Sequence, residues 1–516
     1  MLQLSDGKDV WVIDTRWDKS CFKLLKPYLE TKLILGQNLK FDYKFLKFED
    51  IELDNIYDTF IAECILTNGK EWVLPDGRVG RQLGLSHIAN RYLGVSLDKS
   101  IRNQFIGLKG EPFTYKQIVY GSEDVLYLHP IREKQNIRAD EYQLHEIIAL
   151  ENQACLALAD IEYNGLKLDI NKWLELAKEV DKKIPQYELE LDQMVKSDSK
   201  LSKFVNKNPQ GNLFGGVDRD INIVWSSPTQ VLKVFNTLLG TNLESSGIKE
   251  LARYEDEHSL VKRFIDYKKD AKLATTYGDS FINFINPNTG RIHADVWQIL
   301  DTHRISMGGS KTSGKSSVNL QNLPAKNEYL NCFIAEEGKS IIGIDYAAQE
   351  GRVAACFSKD KVWLNTFLEG KDLHSEVCKM MFGITDDLVK TKPDFLRGKS
   401  YRDVAKTINF MALFGGTEYK LSKVLLVPIE EAKILLEKYF EATDELQDFL
   451  NKCAKYALKH GYIRTAKPYS GIRWLPSWKP NLDPFRDRKI IQEISRAAFN
   501  TPEMYGRVKF RELLGA

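Results

Sequence analysis

The alternation of apolar and polar positions divides the chain into stretches of different character. Residues 1 to about 140 read as α/β. VWVID at 10–14 is a short apolar run behind the turn signal Asp6-Gly7 and predicts a strand, and helical periodicity follows at 18–30 and 41–49. Residues 142–162 carry the pattern of a long amphipathic helix that Asn164-Gly165 closes as a C-cap, which suggests a domain boundary near 140. Residues 166–285 read as mostly helical, interrupted at 197–220 by a Ser, Lys, Asn and Gly-rich stretch. Strand patterns return at 291–299 and in SIIGID, 340–345; helices are expected over 396–460, and beyond 464 short apolar pieces alternate with Pro and Gly.

Composition supports folded domains. The 516 residues are 43% hydrophobic, 11% aromatic and 28% charged, ordinary globular values, and at roughly 150 residues per domain the length suggests about three domains. The net charge is only +2, but residues 461–516 hold eleven Lys/Arg against five Asp/Glu. A polyanionic partner favours such an excess, and a solvated basic face is the plain alternative. Seven scattered cysteines without a C-x-x-C pair argue against a disulfide framework or zinc ribbon and for a reducing compartment. No segment reads as a signal peptide or membrane span, so the expectation is a soluble protein of the cytoplasm, in a bacterial or phage-infected cell.

Gly309 to Ser316 fits the phosphate-binding loop pattern G-x-x-x-x-G-K-S and raises an ATPase reading. That loop needs a helix starting behind it, and the following SVNLQNLPAKN is broken by Pro324, so a mobile loop is preferred.

A stronger signal lies in RDVAKTINFMALFGG. Arg402, Lys406, Phe410 and Phe414 are spaced by four, so each step turns about 400° and all four share one helical stripe. Cations beside aromatics suit a triphosphate bound next to a base. In SIIGIDYAAQEGR an apolar strand would deliver Asp345 to its exposed end, with Glu350 and Arg352 following in a turn or helix start. Upstream, GQNLKFDYKFL sets Asn38 and Asp42 one helical turn apart, YDT supplies Asp58, and Tyr120 and Asp124 are again four apart. Carboxylates converging on two metals activate water for phosphodiester hydrolysis, with a Tyr orienting that water.

Taken with Thr302-His303-Arg304-Ile305-Ser306, NLQNLP at 319–324 and DLH at 372–374, these motifs stand in the order and spacing of a family A DNA polymerase, the DNA polymerase I-like group, and the chain resembles that family over nearly its whole length. The resemblance implies an RNase H-like 3′–5′ exonuclease over about 1–140, incomplete at its N-terminal side. A polymerase right hand would follow over 141–516, incomplete at its C-terminal side: thumb about 141–290, palm about 291–385 and 465–516, fingers about 386–464. It implies template-directed dNTP addition in DNA replication or repair, with proofreading, on primer-template DNA and with Mg2+ as two-metal cofactor. Asp345, helped by the Tyr346 carbonyl, would bind the catalytic metals. Glu350 would exclude ribonucleotides; Arg402, Lys406 and His374 would grip the triphosphate; Phe410 would stack on the nucleotide and, as Phe, resist dideoxynucleotides. Arg304, Asn319, Gln321, Asn322, Arg473 and Asn500 match DNA-contacting positions. Asp42, Tyr120 and Asp124 would serve the exonuclease, with Asp42 and Asp124 as metal ligands. Departures are Phe414 for the usual Tyr, His303 for Gly, and Ala347-Ala348-Gln349 for Ser-Gln-Ile.

The family's first exonuclease motif would precede Met1, and its third polymerase motif does not follow Pro502. The expectation is therefore an internal fragment with both active sites incomplete, the missing pieces being supplied by a complementary polypeptide, cut away, or lost from the gene. A noncatalytic nucleic-acid-binding remnant is the alternative.

Overall fold

The structure is a computed structural model and describes residues 1–73, 77, 79–205, 221, 223–308, 318–393, 399–413, 416–465, 467, 469–483 and 486–498, with side chains to 494 in the last segment. The Gly309–Ser316 loop, Phe414 and Asn500 lie outside the described residues. The chain forms two compact units: one takes Met1–Tyr163, Val296–Ser306 and the chain from Ile344 onward, the other Asn164–Asp295 and Met307–Gly343.

In the first unit Leu2–Ser5 pairs antiparallel with Val10–Ile13. The connecting turn is set by Gly7 at φ +92 and by Asp6 Oδ1, which accepts from the Lys8 and Asp9 amides at 2.9 Å each. Ile34–Gly36 pairs in parallel with Ile56–Asp58, and the crossover that a parallel pair needs is the helix Leu39–Phe48. The next helix, Thr59–Leu66, is buried on nearly every side. Such all-round burial takes in Glu63, whose charge is matched by Arg91, by Tyr92 Oη at 2.9 Å and by Gln135 Nε2 at 3.1 Å. Ile147, Ile148, Cys155 and Ala159 of the helix His145–Asn164 close the same core.

Further along this unit, helices Gln349–Ser358, Lys361–Leu368, Leu373–Phe382, Tyr401–Leu413, Glu418–Leu425, Ile429–Ala442 and Asp444–His460 share one core around Trp363, Val377, Ile408, Tyr439 and Leu446. Tyr462–Arg464 and Ile472–Trp474 form an antiparallel hairpin. The helical expectation for 396–460 agrees with the described part of this stretch. Beyond 464 the sequence reading was too fragmentary: Arg488–Ala498 is a helix whose Ile491 and Ile494, three apart, are buried.

The second unit carries a four-stranded antiparallel sheet in the order Phe333–Ile334, Leu166–Leu168, Arg291–Ile292, Ile285–Asn286. Gly165 leads into it at φ +59, where a Cβ would lie 2.6 Å from the Ile292 carbonyl oxygen, so only glycine fits. The long helices Ile170–Ser197 and Ser259–Tyr277 enclose Trp225, Phe235 and Phe264, and Trp173 stacks on Phe281 at 4.3 Å.

One strand expectation fails. SIIGID forms no strand and pairs with none among the described residues, and Ile341, Ile342 and Ile344 are 59, 80 and 86% exposed. A run of strand-forming residues becomes a strand only when a neighbour takes its N–H and C=O groups.

All seven cysteines are free thiols; Cys356 is exposed, Cys21 and Cys453 are half-buried, and the other four are buried. No helix among the described residues is long and apolar enough to cross a membrane.

Candidate nucleotide and metal sites

The exonuclease-type residues come together. Asn38, in the left-handed region at φ 62, starts the helix Leu39–Phe48 and leaves Asp42 in its first turn. Asp42 is exposed at the surface, yet the protein mass around it, and secondly the charge of Asp58, push its carboxyl up to about 6; Asp124 adds to the effect. Asp124 and Tyr120 lie one turn apart on Tyr115–Leu126, a helix opened by the Thr114/Gln117 capping box. Tyr120 is buried, which raises its phenol, and Asp124 pushes the same way.

Asp58 corrects the expectation of converging carboxylates. It is buried, and its oxygens accept from the Asn38, Leu39 and Phe60 amides at 2.8, 2.8 and 2.9 Å. Burial lifts it to about 6 against the pull of those bonds. Asp58 thus caps one helix and anchors the start of another; it is a structural carboxylate. Asp42 and Asp124 remain. Among the described residues no group of three or more His, Cys, Asp or Glu could hold a metal ion. Mg2+ is commonly held by one or two carboxylates plus substrate phosphates, and the mutually repelling pair Asp42/Asp124 fits that donor set.

Sequence reasoning missed Lys99. Its Nζ lies 2.8 Å from Asp124 Oδ1 and 5.0 Å from the centre of the Tyr120 ring. Twenty-five residues separate it from Asp124, and no periodicity signals such a pair.

On Tyr401–Leu413 the expected stripe is real. Val404, Ala405 and Ile408 are buried, while Arg402, Lys406 and Phe410 share the solvent side, Phe410 being 46% exposed. Arg402 grips Asp372 with a two-pronged fork, Nε to Oδ2 and Nη2 to Oδ1, both 2.8 Å. Burial would raise the Asp372 carboxyl, but the bonds from Arg402 and Ser375 outweigh it and hold it well below the carboxylate range. Asp372 also caps Leu373–Phe382, the helix of His374. Asn409 Nδ2 donates to His374 Nδ1 at 2.9 Å, which requires the neutral ring that burial favours, and that ring lies 5.8 Å from Phe410. Sequence reasoning missed Asp372 as well, although an Asp ahead of a helical run is the ordinary N-cap signal; Asn409 is buried and carries no such signal.

The Asp345 region is looser. Asp345 and Tyr346 are exposed on the unpaired segment, so the strand end expected to present Asp345 is not formed. Glu350, in the first turn of Gln349–Ser358, pairs with Arg304 at 2.8 Å, both side chains exposed. His303 sits at φ 58, with Nε2 3.0 Å from Asn68 Nδ2 and 3.4 Å from the Ile472 oxygen; burial lowers its pKa. Arg473 is half-buried in the hairpin opposite Ile463. In the other unit Asn319 caps the turn Leu320–Asn322, Gln321 Oε1 accepts from the Met307 amide at 3.0 Å, and the Asn322 carbonyl accepts from Tyr277 Oη.

Comparison with known proteins gives concordant matches. The family described as DNA polymerase family A matches residues 207–503, more than half of the chain, and that described as 3′-5′ exonuclease matches residues 1–137. A thermostable DNA polymerase I of Thermus aquaticus is 28% identical over 358 residues, 68% of this chain and 38% of that protein. A DNA polymerase I of Borreliella burgdorferi is 27% identical over 454 residues, 84% of this chain and 44% of that one. The chain therefore spans about two-fifths of the length of these curated relatives. Among solved structures, the POL domain of Pol1 from M. smegmatis, in complex with DNA primer-template and dNTP, has a TM-score of 0.70 at 21% identity, covering 96% of this chain and 77% of that chain. The fold is that of an RNase H-like exonuclease followed by a polymerase.

Proposed function

The chain belongs to DNA polymerase family A, and from that premise we propose that it acts on primer-template DNA and dNTPs as a DNA-directed DNA polymerase with a 3′–5′ exonuclease, in the cytoplasm. The observation that carries the proposal is the solvent face of Tyr401–Leu413, where Arg402 and Lys406 stand in line with Phe410 and His374 stands beside it. The held Arg402 fork, the exposed Lys406 ammonium and a neutral imidazole receive the triphosphate, and Phe410 offers a stacking surface to the nucleotide. Asp372 aims the Arg402 fork, and Asn409 holds the His374 tautomer.

Arg304, Arg473, Asn319, Gln321 and Asn322 are the proposed DNA contacts, joined by Asn500. Phe414 is proposed for the nucleotide side. Glu350 guards the 2′ position. Asp345 with the Tyr346 carbonyl would hold Mg2+ in the polymerase site, and Asp42 with Asp124 in the exonuclease site, where Tyr120 orients the attacking water. Bound Mg2+ would neutralise phosphoryl charge and activate that water. A complementary strand from another polypeptide would cover SIIGID and seat Asp345.

The test is primer-template binding by fluorescence anisotropy at about 50 mM salt, followed by dNTP-dependent stabilisation of the complex. Binding that weakens steeply with salt, with the dNTP effect lost in Lys406→Ala, is expected. Absence of DNA binding overturns the proposal. A second reading, noncatalytic DNA binding, is favoured by the exposed, unpaired setting of Asp345; DNA binding with no dNTP effect in the unaltered chain would select it.

A further inference from the structure

Lys99 stands where no motif assigns a cation. It immediately precedes the tight helical turn Ser100–Phe105, which is docked on the Tyr115–Leu126 helix at two points: Gln117 Nε2 donates to the Gln104 oxygen at 3.2 Å, and the Phe105 ring lies 5.8 Å from Tyr120. Phe113, 5.8 Å from Phe105, extends the cluster. The backbone that carries Lys99 is thereby fixed against the helix that carries Asp124. Its ammonium meets Asp124 Oδ1 at 2.8 Å and lies above Tyr120, touching two side chains of the exonuclease site.

We propose that Lys99 is the resident counter-ion of the exonuclease carboxylates: it neutralises Asp124 in the metal-free protein, and a divalent ion must displace it to bind. The inference deepens the proposed function and rests on its assignment of Asp42 and Asp124 to the metal. A single ammonium makes its close contact with Asp124 alone and leaves the Asp42 charge to be answered, whereas Asp42 and Asp124 together are the residues that would hold a divalent ion. Lysine suits an exchange of this kind. It is a hydrated point charge on a flexible stem, whereas an arginine fork would hold the carboxylate in two places and yield less readily. Lys99 and Asp124 are each about one-third exposed, 35 and 32%, so the competition is modest: an exposed pair corresponds to about a two- to fivefold change in metal affinity. Excision would then respond to the free divalent concentration and stay low where the ion is scarce.

The experiment titrates Mn2+ into the full chain with a fixed concentration of thymidine monophosphate to supply the phosphate ligand, follows free Mn2+ by electron paramagnetic resonance against a nucleotide-only titration, and uses an Asp345→Ala background so that the exonuclease carboxylates report. Lys99→Gln is expected to tighten Mn2+ binding about two- to fivefold and Lys99→Arg to leave it equal or weaker. Asp124→Asn should remove the site, and with it any effect of Lys99→Gln. Unchanged affinity in Lys99→Gln, with the site still lost in Asp124→Asn, overturns the inference and leaves the metal assignment standing. Mn2+ binding that survives Asp124→Asn overturns the metal assignment itself.

Discussion

Two aspartates follow short apolar runs in this chain, Asp58 after NIY and Asp345 after IIGI, and their surroundings differ in every respect. Ile56–Asp58 lies in a parallel ladder with Ile34–Gly36, and three backbone amides converge on the Asp58 carboxylate. Ser340 to Asp345 has no ladder among the described residues and shows its isoleucines to solvent. The chemistry of the two runs is similar; the difference is whether a second strand and covering helices are at hand. Asp58 is consumed by structure, while Asp345 is left open to a ligand.

The comparison is sharpest in hydrogen exchange. Amides in the ladder formed by Ile34–Gly36 and Ile56–Asp58 should exchange at least about a thousandfold more slowly than those of 340–345, which should approach the intrinsic rate. Comparable protection of the two segments, read by mass spectrometry, would erase the distinction. Next in size, Asp58→Ala should cost about 3 kcal/mol, through a lost cap and buried amides left without an acceptor, against less than about 0.5 kcal/mol for Asp345→Ala; urea midpoints measure both.

How much of this was legible follows from the range of each interaction. The helix stripe of Arg402, Lys406 and Phe410 repeats every four residues, so the sequence carries it directly. Asp42 and the Tyr120/Asp124 pair were legible for the same reason. Lys99, Asn409 and the capping role of Asp58 depend on partners brought in by tertiary folding, and SIIGID failed because a strand is a property of two segments. His303 in place of glycine became intelligible only with Asn68 and Ile472 beside it.

A smaller effect concerns pH. The Asp42 carboxyl, at about 6 in the folded protein against 3.8 unfolded, binds its proton more tightly when folded, so its contribution to stability falls as pH rises from about 4 to 6. Two pKa units would correspond to about 3 kcal/mol, and the exposure of Asp42 reduces this to about 1 kcal/mol. Asp42→Asn should therefore be more stable than the unaltered chain at pH 7, with a flatter profile between pH 4 and 6 in thermal unfolding. Smallest of all, Glu350→Gln should change stability by less than about 0.5 kcal/mol in denaturant titration, because its pair with Arg304 is exposed.

The cysteine distribution has a practical consequence. Burial pushes the thiols of Cys64 and Cys155 up to about 12 and raises those of Cys332, Cys378 and Cys453, which removes their thiolate at neutral pH. Cys356 is exposed and lies on Gln349–Ser358, six positions beyond Glu350. Maleimide or iodoacetamide dyes at limiting amounts will therefore react first at Cys356, with half-buried Cys21 as the competing thiol to replace by serine, and a fluorophore on Cys356 reports on the helix that begins beside Asp345.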